Sequence, residues 1–440
     1  MKVLLFLFAL GFLVTGVSGE ETDSGDSLAL DLSGWVSLAL RSSPDLVSAR
    51  ASVNTSEAAL TASRSFMWPS LTFSASAGHE WTSSSLGEYE VGSGQTDYDS
   101  YSSSLLLSQE LLSSGGSSWM DLYASRHRLQ ASRQDYRQTE LDVVLEVVES
   151  YYSFVEAREL LESSRRTLRR SSSQLEKTEH LYDLGAATTL EITQARVRES
   201  SDRLDVAQRR QALSTAYYDL CEAAGVEPDG SYAVRAEEVF QPLTEEDVQS
   251  IPLVLDGNPS LVAQSERLFS TEDELSASKR SYWPSLNARG RWSWSSTEFD
   301  LGGVPEEDSW SVSLNLTWSI FDGWLRESNI NSARASVLQS RASLESLRRS
   351  LRTGLESAYE NLLYSIRSYE LAELSLEQAR KQLELSQTSY DLGALSLLDL
   401  LEAQEGLSDA EASVVSARIS CLKAEAGLWV LMGRMPRLGE

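Results

Sequence analysis

The chain has 440 residues, and its 65 acidic and 38 basic side chains give a formal net charge of −27 at pH 7. So acidic a surface repels nucleic acid, which binds basic faces of proteins, and no nucleic-acid partner is expected. Two cysteines, Cys221 and Cys421, cannot form a dense disulfide framework, and both are expected to be small buried apolar residues in helices.

Residues 1–19 have the pattern of a secretory signal peptide. Lys2 precedes an apolar stretch, and the small residues 17–19 precede an acidic segment, so cleavage is expected after Gly19. No cysteine lies near this point, and no lipid anchor is expected. Since no later run of 18 apolar residues follows, an ordinary transmembrane helix is not expected either.

Residues 34–66 predict the first element of the mature chain, a short helix in which Pro44 fits a first-turn position. The hydrophobic period then changes to two, and residues 70–112 predict a β-hairpin whose strands are joined by a polar loop at 82–97. The apolar positions of the first strand are Leu71, Phe73, Ala75, Ala77, His79 and Trp81, and those of the weaker second strand are Tyr101, Leu105, Leu107 and Leu111.

A sustained seven-residue hydrophobic period without proline or glycine predicts one coiled-coil-like helix over 118–184, roughly 100 Å long. Gly185 can adopt the left-handed conformation that ends a helix. Thr188 and Glu191 have the T-x-x-E spacing of a capping box, which starts a returning helix. Residues 118–225 therefore predict a long helical hairpin.

The same order of elements occurs again after an acidic connector. The predicted organisation is a first repeat at 20–225, a connector at 226–257, a second repeat at 258–433 and a C-terminal tail at 434–440. The second repeat consists of a short helix at about 259–281, which begins near Pro259, a β-hairpin at 285–321 and a long helical hairpin at 324–433.

The two repeats match at a fixed spacing, which indicates an internal duplication. Tyr182 and Tyr390 lie 208 residues apart, and the apolar heptad positions before them keep that spacing. Gly393, Ser396 and Asp399 repeat the roles of Gly185, Thr188 and Glu191 at the same spacing. The segments MWPSL and YWPSL, at 67–71 and 282–286, are instead 215 residues apart, so about seven residues are missing from the second copy.

Strands of about ten residues with period-two polarity are typical of a membrane β-barrel. Seven of the eleven tryptophans lie in 68–81 and 283–318, as aromatic girdles would. A soluble sandwich also has alternating strands, but the chain has little else to form a second sheet that would cover their apolar faces. Because the smallest membrane barrels have about eight strands, four strands per chain predict a barrel that is shared between subunits. The predicted fold class is thus a mixed α and β membrane protein.

The signal peptide, the segments NPSL, WPSL, SIFDGW and YDLGALSLLDLLEAQ, and the order of strands and long helices resemble the TolC family of outer-membrane efflux proteins. The resemblance covers residues 34–433. It implies a homotrimer in outer-membrane lipid, with four transmembrane strands per protomer in a 12-stranded barrel and a helical tunnel in the periplasm. It also implies a passive channel that exports drugs, other small molecules or proteins from an inner-membrane transporter of RND, ABC or MFS type through a periplasmic adaptor.

The resemblance places an acidic gate at the ends of the helical hairpins. Asp399 and Glu402 stand three residues apart, on one helix face, and occupy the positions of the family's gate. Glu191 matches an acidic residue of the family's gating network. Leu395 departs from members that hold a basic residue there to tie the gate shut. Helix capping is the alternative explanation of Asp399 and Glu191.

The small and apolar residues at the ends of the hairpins have no folding reason to be exposed. Contact with the adaptor is the use that the resemblance implies, and burial against the neighbouring hairpin is the alternative. These candidate contact residues are Gly185, Ala186, Ala187, Gly393, Ala394 and Leu395.

No catalytic or metal-binding pattern is evident. His79, His127 and His180 lack metal-ligand spacing, and no G-x-x-x-x-G-K-[ST] segment is present. We therefore expect a protein that is not an enzyme and that needs no cofactor or metal. The heptads alone would also permit a structural or adhesive coiled-coil surface protein, but an adhesin has no need of two matched hairpins with polar faces.

Overall fold

A computed structural model of the chain describes residues 28–83, 95–230, 232–235, 243–255, 257–296 and 307–437. The predicted signal peptide and most of the predicted loop at 82–97 lie outside the described residues. The elements are β1 (Leu28–Leu30), α1 (Leu32–Ser42), α2 (Pro44–Ser63), β2 (Ser70–Ser83), β3 (Gln95–Leu112), α3 (Ser117–Asp183), α4 (Thr189–Ala223), β4 (Tyr232–Val234), α5 (Glu245–Gln249), α6 (Pro259–Arg280), β5 (Ser285–Ser296), β6 (Glu307–Thr317), α7 (Leu325–Asp391) and α8 (Leu397–Leu431).

The long helices of the two repeats match residue for residue. α3 and α7 each have 67 residues, α4 and α8 each have 35, and each pair begins 208 residues apart. Glycines with positive φ follow the same spacing, since Gly225 and Gly433 both adopt this conformation after the last helix of their repeat. The missing residues of the second copy therefore lie in its β-hairpin, where β6 is shorter than β3.

The four long strands form one antiparallel sheet in the order β2-β3-β5-β6. Two rows of its apolar face, read across the strands, are Phe73, Leu105, Trp292 and Trp310, and Leu71, Leu107, Gly290 and Val312. The opposite face is polar. One of its rows is Ser74, Ser104, Ser293 and Ser309, in which the last two hydroxyl groups lie 2.8 Å apart.

The outer edges of this sheet, on β2 and β6, pair with no other strand in the described part of the chain. Each strand runs antiparallel to its neighbour, so β2 and β6 run in opposite directions. An open edge exposes a row of unpaired N–H and C=O groups, which can pair with another chain.

The main hydrophobic core lies midway along α3 and toward the C-terminal ends of α4 and α8. Trp35 of α1 is fully buried there with Val144 and Val147 of α3, Leu220 of α4 and Ile419 of α8. A second core joins α5, α7 and α8. Cys221 and Cys421 are free and buried in these cores, which confirms their predicted environment.

The predicted short helix at 34–66 is wrong in one respect, because the structure has two helices there. α1 ends at Ser42, and Ser43 leaves the helical conformation with a ψ of 124°. Pro44 is then the first residue of α2. The ring of a proline disfavours helical geometry in the preceding residue, which explains the break. In the second repeat Pro259 also occupies the first turn, and Asn258 caps α6 through Leu261 N–H.

Gly433 and Gly393 offer a matched test of how closely the end of α8 packs against the start of α6. Both have φ near +74°, but a Cβ at Gly433 would lie 2.8 Å from the carbonyl oxygen of Gly257, whereas nothing lies within 4 Å of a Cβ at Gly393. Gly393→Ala should cost only the left-handed backbone strain, about 1 kcal/mol. Gly433→Ala should cost about 1–3 kcal/mol more, because the backbone must shift. Thermal unfolding of the purified protein measures both, and equal shifts would contradict the close approach.

Candidate functional site

The ends of the two helical hairpins are built by the same turn. We call residues 184–188 tip 1 and residues 392–396 tip 2. At tip 1, Gly185 has φ +73°, its N–H donates to Tyr182 O at 2.9 Å, and Ala186 N–H donates to Leu181 O at 2.8 Å. These two bonds are a Schellman motif, which satisfies the last carbonyl groups of α3. Tip 2 repeats both bonds around Gly393.

Glu191 and Asp399 both close capping boxes, as the alternative explanation of these residues proposed. The Glu191 carboxylate accepts from Thr188 N–H at 2.6 Å, and Thr188 Oγ1 accepts from Glu191 N–H at 3.2 Å. The Asp399 carboxylate accepts from Ser396 Oγ at 2.6 Å and from Ser396 N–H at 3.3 Å. Each carboxylate therefore starts a returning helix and holds its tip in one conformation.

Glu402 differs from the other two predicted gate residues. It is exposed on α8, one turn beyond Asp399, and none of the hydrogen bonds or ion pairs among the described residues involves its carboxylate. Its charge is therefore available to whatever faces this side of α8. A pore-lining role for these three carboxylates stays a prediction, because it depends on how several chains meet.

The tips expose apolar side chains that the sequence reasoning missed. Gly185, Ala186, Gly393 and Ala394 are exposed, and Ala187 and Leu395 are half-buried. The most exposed apolar side chains are those just before each glycine, Leu184 at 81% and Leu392 at 79%. Leu190 and Leu398, in the first turn of each returning helix, are also exposed. The repeated Leu-Gly pair was the signal that could have identified them.

A salt bridge joins the two hairpins just above the tips. Lys177 of α3 lies 2.7 Å from the Asp391 carboxylate of α7, and its ammonium group lies 5.6 Å from the centre of the Tyr390 ring. A small apolar cluster lies beside this pair and contains Ala195, Leu397 and Leu401. Sequence reasoning missed this contact, because the 208-residue spacing relates the hairpins but does not say which residues of the two hairpins face each other.

Arg198 of α4 forms a second connection between the hairpins. It lies 3.2 Å from Asp202 on its own helix and 2.8 Å from Glu405 on α8. Arg198 and Asp202 are largely buried, whereas Glu405 is exposed. We call α3 with α4 hairpin 1 and α7 with α8 hairpin 2. The guanidinium group thus bridges hairpin 1 and hairpin 2 close to the level where Lys177 joins α3 to α7.

The pKa values of both neighbours of Lys177 are shifted from their ordinary values. Hydrogen bonds from Lys177 and Gln387 hold the pKa of Asp391 below its ordinary value. Burial raises the pKa of Tyr390, and the nearby Glu191 carboxylate raises it further. Because the pKa of Asp391 is lowered in the folded protein, the ionised carboxylate stabilises the fold. This contribution to the free energy of unfolding is fully present when the pH is above 3.8, the ordinary pKa, and is lost as the pH falls through the lower pKa of the folded protein.

The three histidines lie apart from one another, and His180 is in the last turn of α3, beside tip 1. His79 contacts Asp99 across β2 and β3, and His127 of α3 contacts Glu266 of α6 at 2.6 Å. Within the described residues, no group of three or more His, Cys, Asp or Glu side chains could hold a metal ion. The helices described by the structure include none long and apolar enough to cross a membrane.

Comparison of the chain with known proteins identifies the family to which this architecture belongs. A family model described as "Outer membrane efflux protein" matches residues 35–226 and 250–434, which are the two repeats. The chain belongs to the outer membrane efflux protein family. It is therefore an efflux channel of the outer membrane with a periplasmic helical tunnel, as the resemblance to the TolC family predicted.

Among its relatives, this efflux channel is 24% identical over 425 residues to the outer membrane protein TolC of Vibrio cholerae, with 95% of this chain and 92% of that protein covered. It is 28% identical over 416 residues to the pyoverdine export outer membrane protein OpmQ of Pseudomonas aeruginosa, with 92% and 85% covered. These relatives are channel proteins rather than enzymes.

The fold of the efflux channel is similar to the crystal structure of the Campylobacter jejuni outer membrane channel CmeC. The TM-score is 0.81 at 20% sequence identity, and the match covers 99% of this chain and 94% of CmeC. The mixed α and β fold with duplicated helical hairpins, predicted from the sequence, is therefore confirmed.

If the Lys177 to Asp391 salt bridge holds the hairpins together, Lys177→Gln should loosen both tips. Amide hydrogen exchange in 385–396 should become several-fold faster, because this local contact no longer opposes opening. Lys381→Gln is the matched control, since Lys381 pairs with Glu377 on its own helix at 2.6 Å and forms no ion pair with a second element in the described part of the chain. Equal exchange in both variants would show that the salt bridge does not connect the hairpins in solution.

Proposed function

We propose that three chains close one 12-stranded barrel and one continuous tunnel, and that the channel is a passive export duct. The observation that carries this proposal is the four-stranded sheet with two open edges. Within lipid every backbone polar group needs a partner, so β6 of one chain must pair with β2 of the next. Their opposite directions suit that antiparallel pairing.

The two faces of the sheet support the same arrangement. Exposed apolar side chains such as Phe73, Val312 and Leu316 form the surface that suits lipid, and the serine-rich face then lines water. Exposed tryptophans at the sheet ends, Trp68, Trp283 and Trp318, suit the level of the lipid headgroups.

The tips are the proposed contact with a periplasmic adaptor. The exposed leucines, Leu184 and Leu392, lie in the Schellman turns and contribute little to the packing of the single chain. Burial of such side chains against a partner removes apolar surface from water, which favours association. The adaptor would in turn connect the duct to an inner-membrane transporter of RND, ABC or MFS type, which hydrolyses nucleotide or uses an ion gradient.

The acidic residues near tip 2 are the proposed gate. Three copies of Glu402, with Asp399 one turn away, would form a negative ring at the narrow end of the tunnel and favour cations. Leu395 cannot contribute a basic group, and the Lys177 and Arg198 contacts are the proposed closing bonds instead. Cargo would be chosen by the transporter. The names of the relatives accordingly range from pyoverdine export to a toluene efflux pump of Pseudomonas putida.

Replacing the tip leucines tests adaptor contact. Leu184→Asn with Leu392→Asn should reduce export more than tenfold while leaving insertion and the trimer intact, because both side chains are exposed in the folded chain. Val197→Asn with Leu204→Asn changes two apolar side chains higher on α4 that are also exposed, at 65% and 60%, and should leave export near the parent level. Loss of export in both pairs, or in neither, would count against docking at the tips.

Ion selectivity tests the gate. Asp399→Asn with Glu402→Gln keeps side-chain size but removes six charges per trimer, so cation preference and block by divalent ions in planar bilayers should fall sharply. Glu360→Gln with Asp409→Asn removes the same number of charges from exposed positions farther along α7 and α8 and should change the reversal potential little. An unchanged reversal potential in the first pair would mean that these carboxylates do not line the narrowest passage.

A further inference from the structure

A basic cleft separates α3 from α7 between the hydrophobic cores and the tips. Its volume is about 700 Å³, and α8 forms its floor. The lining residues that matter here are Arg169, Arg170, Gln174, Lys177, Arg380 and Gln404. The salt bridge from Lys177 to Asp391 closes the end of the cleft that lies nearer the tips.

The charge of this cleft is opposite to that of the chain. Four cationic side chains line it against one carboxylate, Glu384, although the whole chain carries a net charge of −27. Two of the cations are already paired, since Arg170 lies 3.6 Å from Glu411 and Lys177 lies 2.7 Å from Asp391. Even with these pairs formed, two guanidinium groups remain.

Arg169 and Arg380 are those two groups, and they line the cleft from opposite walls. Arg169 lies on α3 in hairpin 1 and Arg380 lies on α7 in hairpin 2. Among the described residues, neither guanidinium group takes part in a hydrogen bond or an ion pair with the protein. Like charges that line one cleft repel each other, and an anion between them would convert this repulsion into two attractions.

Some buried polar groups of the cleft lack hydrogen-bond partners among the described residues. Gln404 is only 8% exposed, yet no hydrogen bond within the described residues involves its side chain. Gln174, on the α3 wall, is 7% exposed and already has partners, since its amide nitrogen lies 3.4 Å from Thr178 Oγ1 and its side chain hydrogen-bonds to Tyr390. The Nε of Arg170 is also buried without a hydrogen-bond partner. A buried polar group without a partner is costly, so Gln404 and the Nε of Arg170 indicate that the cleft is built for a polar ligand.

We propose that this cleft binds a small multivalent oxyanion, of the phosphate or pyrophosphate class, between Arg169 and Arg380. A guanidinium group donates two parallel hydrogen bonds to such an anion, which a phosphate can accept from both walls at once. The Gln404 amide supplies further donors from the floor, and the Gln174 amide lies on the α3 wall. Because the two arginines belong to different hairpins, the bound anion links hairpin 1 to hairpin 2 above the tips.

Calorimetric titration of the detergent-solubilised, full-length protein with inorganic pyrophosphate, without divalent cations and at low salt, tests the site. The expected result is saturable binding of one pyrophosphate per chain and a higher melting temperature when it is bound. Arg169→Gln with Arg380→Gln should weaken binding at least tenfold and abolish the thermal shift. Inorganic phosphate, which carries less charge, should bind more weakly at the same site.

Arg165→Gln with Arg349→Gln is the matched control, because it removes the same charge from the same two helices. Both control residues are exposed and pair with carboxylates on their own helices, Arg165 with Glu162 and Arg349 with Glu345. This control should bind pyrophosphate like the parent. Absence of saturable binding, or an equal loss in both double variants, would overturn the proposal and leave only diffuse attraction. Channel formation does not depend on either outcome, so the export duct is tested separately.

Discussion

A strand edge cannot lie unpaired in hydrocarbon, and this constraint determines how the rest of the molecule must be arranged. No water reaches the bilayer core to satisfy exposed N–H and C=O groups, and each unsatisfied group costs several kcal/mol. The sheet of one chain ends at β2 and at β6, with edges that run in opposite directions. An even number of strands per chain is what allows identical chains to join edge to edge with every pair antiparallel.

The duplication connects this sheet to the tunnel. Each repeat supplies two strands and one helical hairpin, so every chain that adds four strands also adds four long helices. Only four residues separate β3 from α3, and Gly115 in that turn packs directly against Trp283 of the second repeat. Sheet and helices are therefore continuous. Toward the tips the apolar core thins to a small cluster and a few ion pairs, which is where opening costs least.

The repeating parts of this structure could be predicted from the sequence because they depend on local patterns. The heptads, the Gly185 and Gly393 turns and both capping boxes each follow from the spacing of a few residues, and all occur as predicted. The break at Ser43 was missed because the helical pattern of 34–66 masked the effect of Pro44.

Contacts between the hairpins could not be predicted in the same way. The Lys177 to Asp391 salt bridge and the basic cleft depend on which faces of α3 and α7 meet, and no sequence spacing encodes that. The tip leucines were missed for a different reason. Leucine in a helical pattern is usually buried, whereas Leu184 and Leu392 stand at the ends of the hairpins and are exposed in the single chain.

Disulfide formation between β6 and the β2 strand of another chain tests the central claim most directly. Ser313→Cys on the polar face of β6 would be combined in turn with one further cysteine on the polar face of β2, at Ser70, Thr72, Ser74 or Ser76. The background would carry Cys221→Ser and Cys421→Ser, so that no native thiol competes. The account predicts covalent trimers for one or two neighbouring positions of this set and none for the apolar-face partners Leu71 and Phe73. The absence of inter-chain disulfides in a folded, inserted protein, or products larger than three chains, would contradict it.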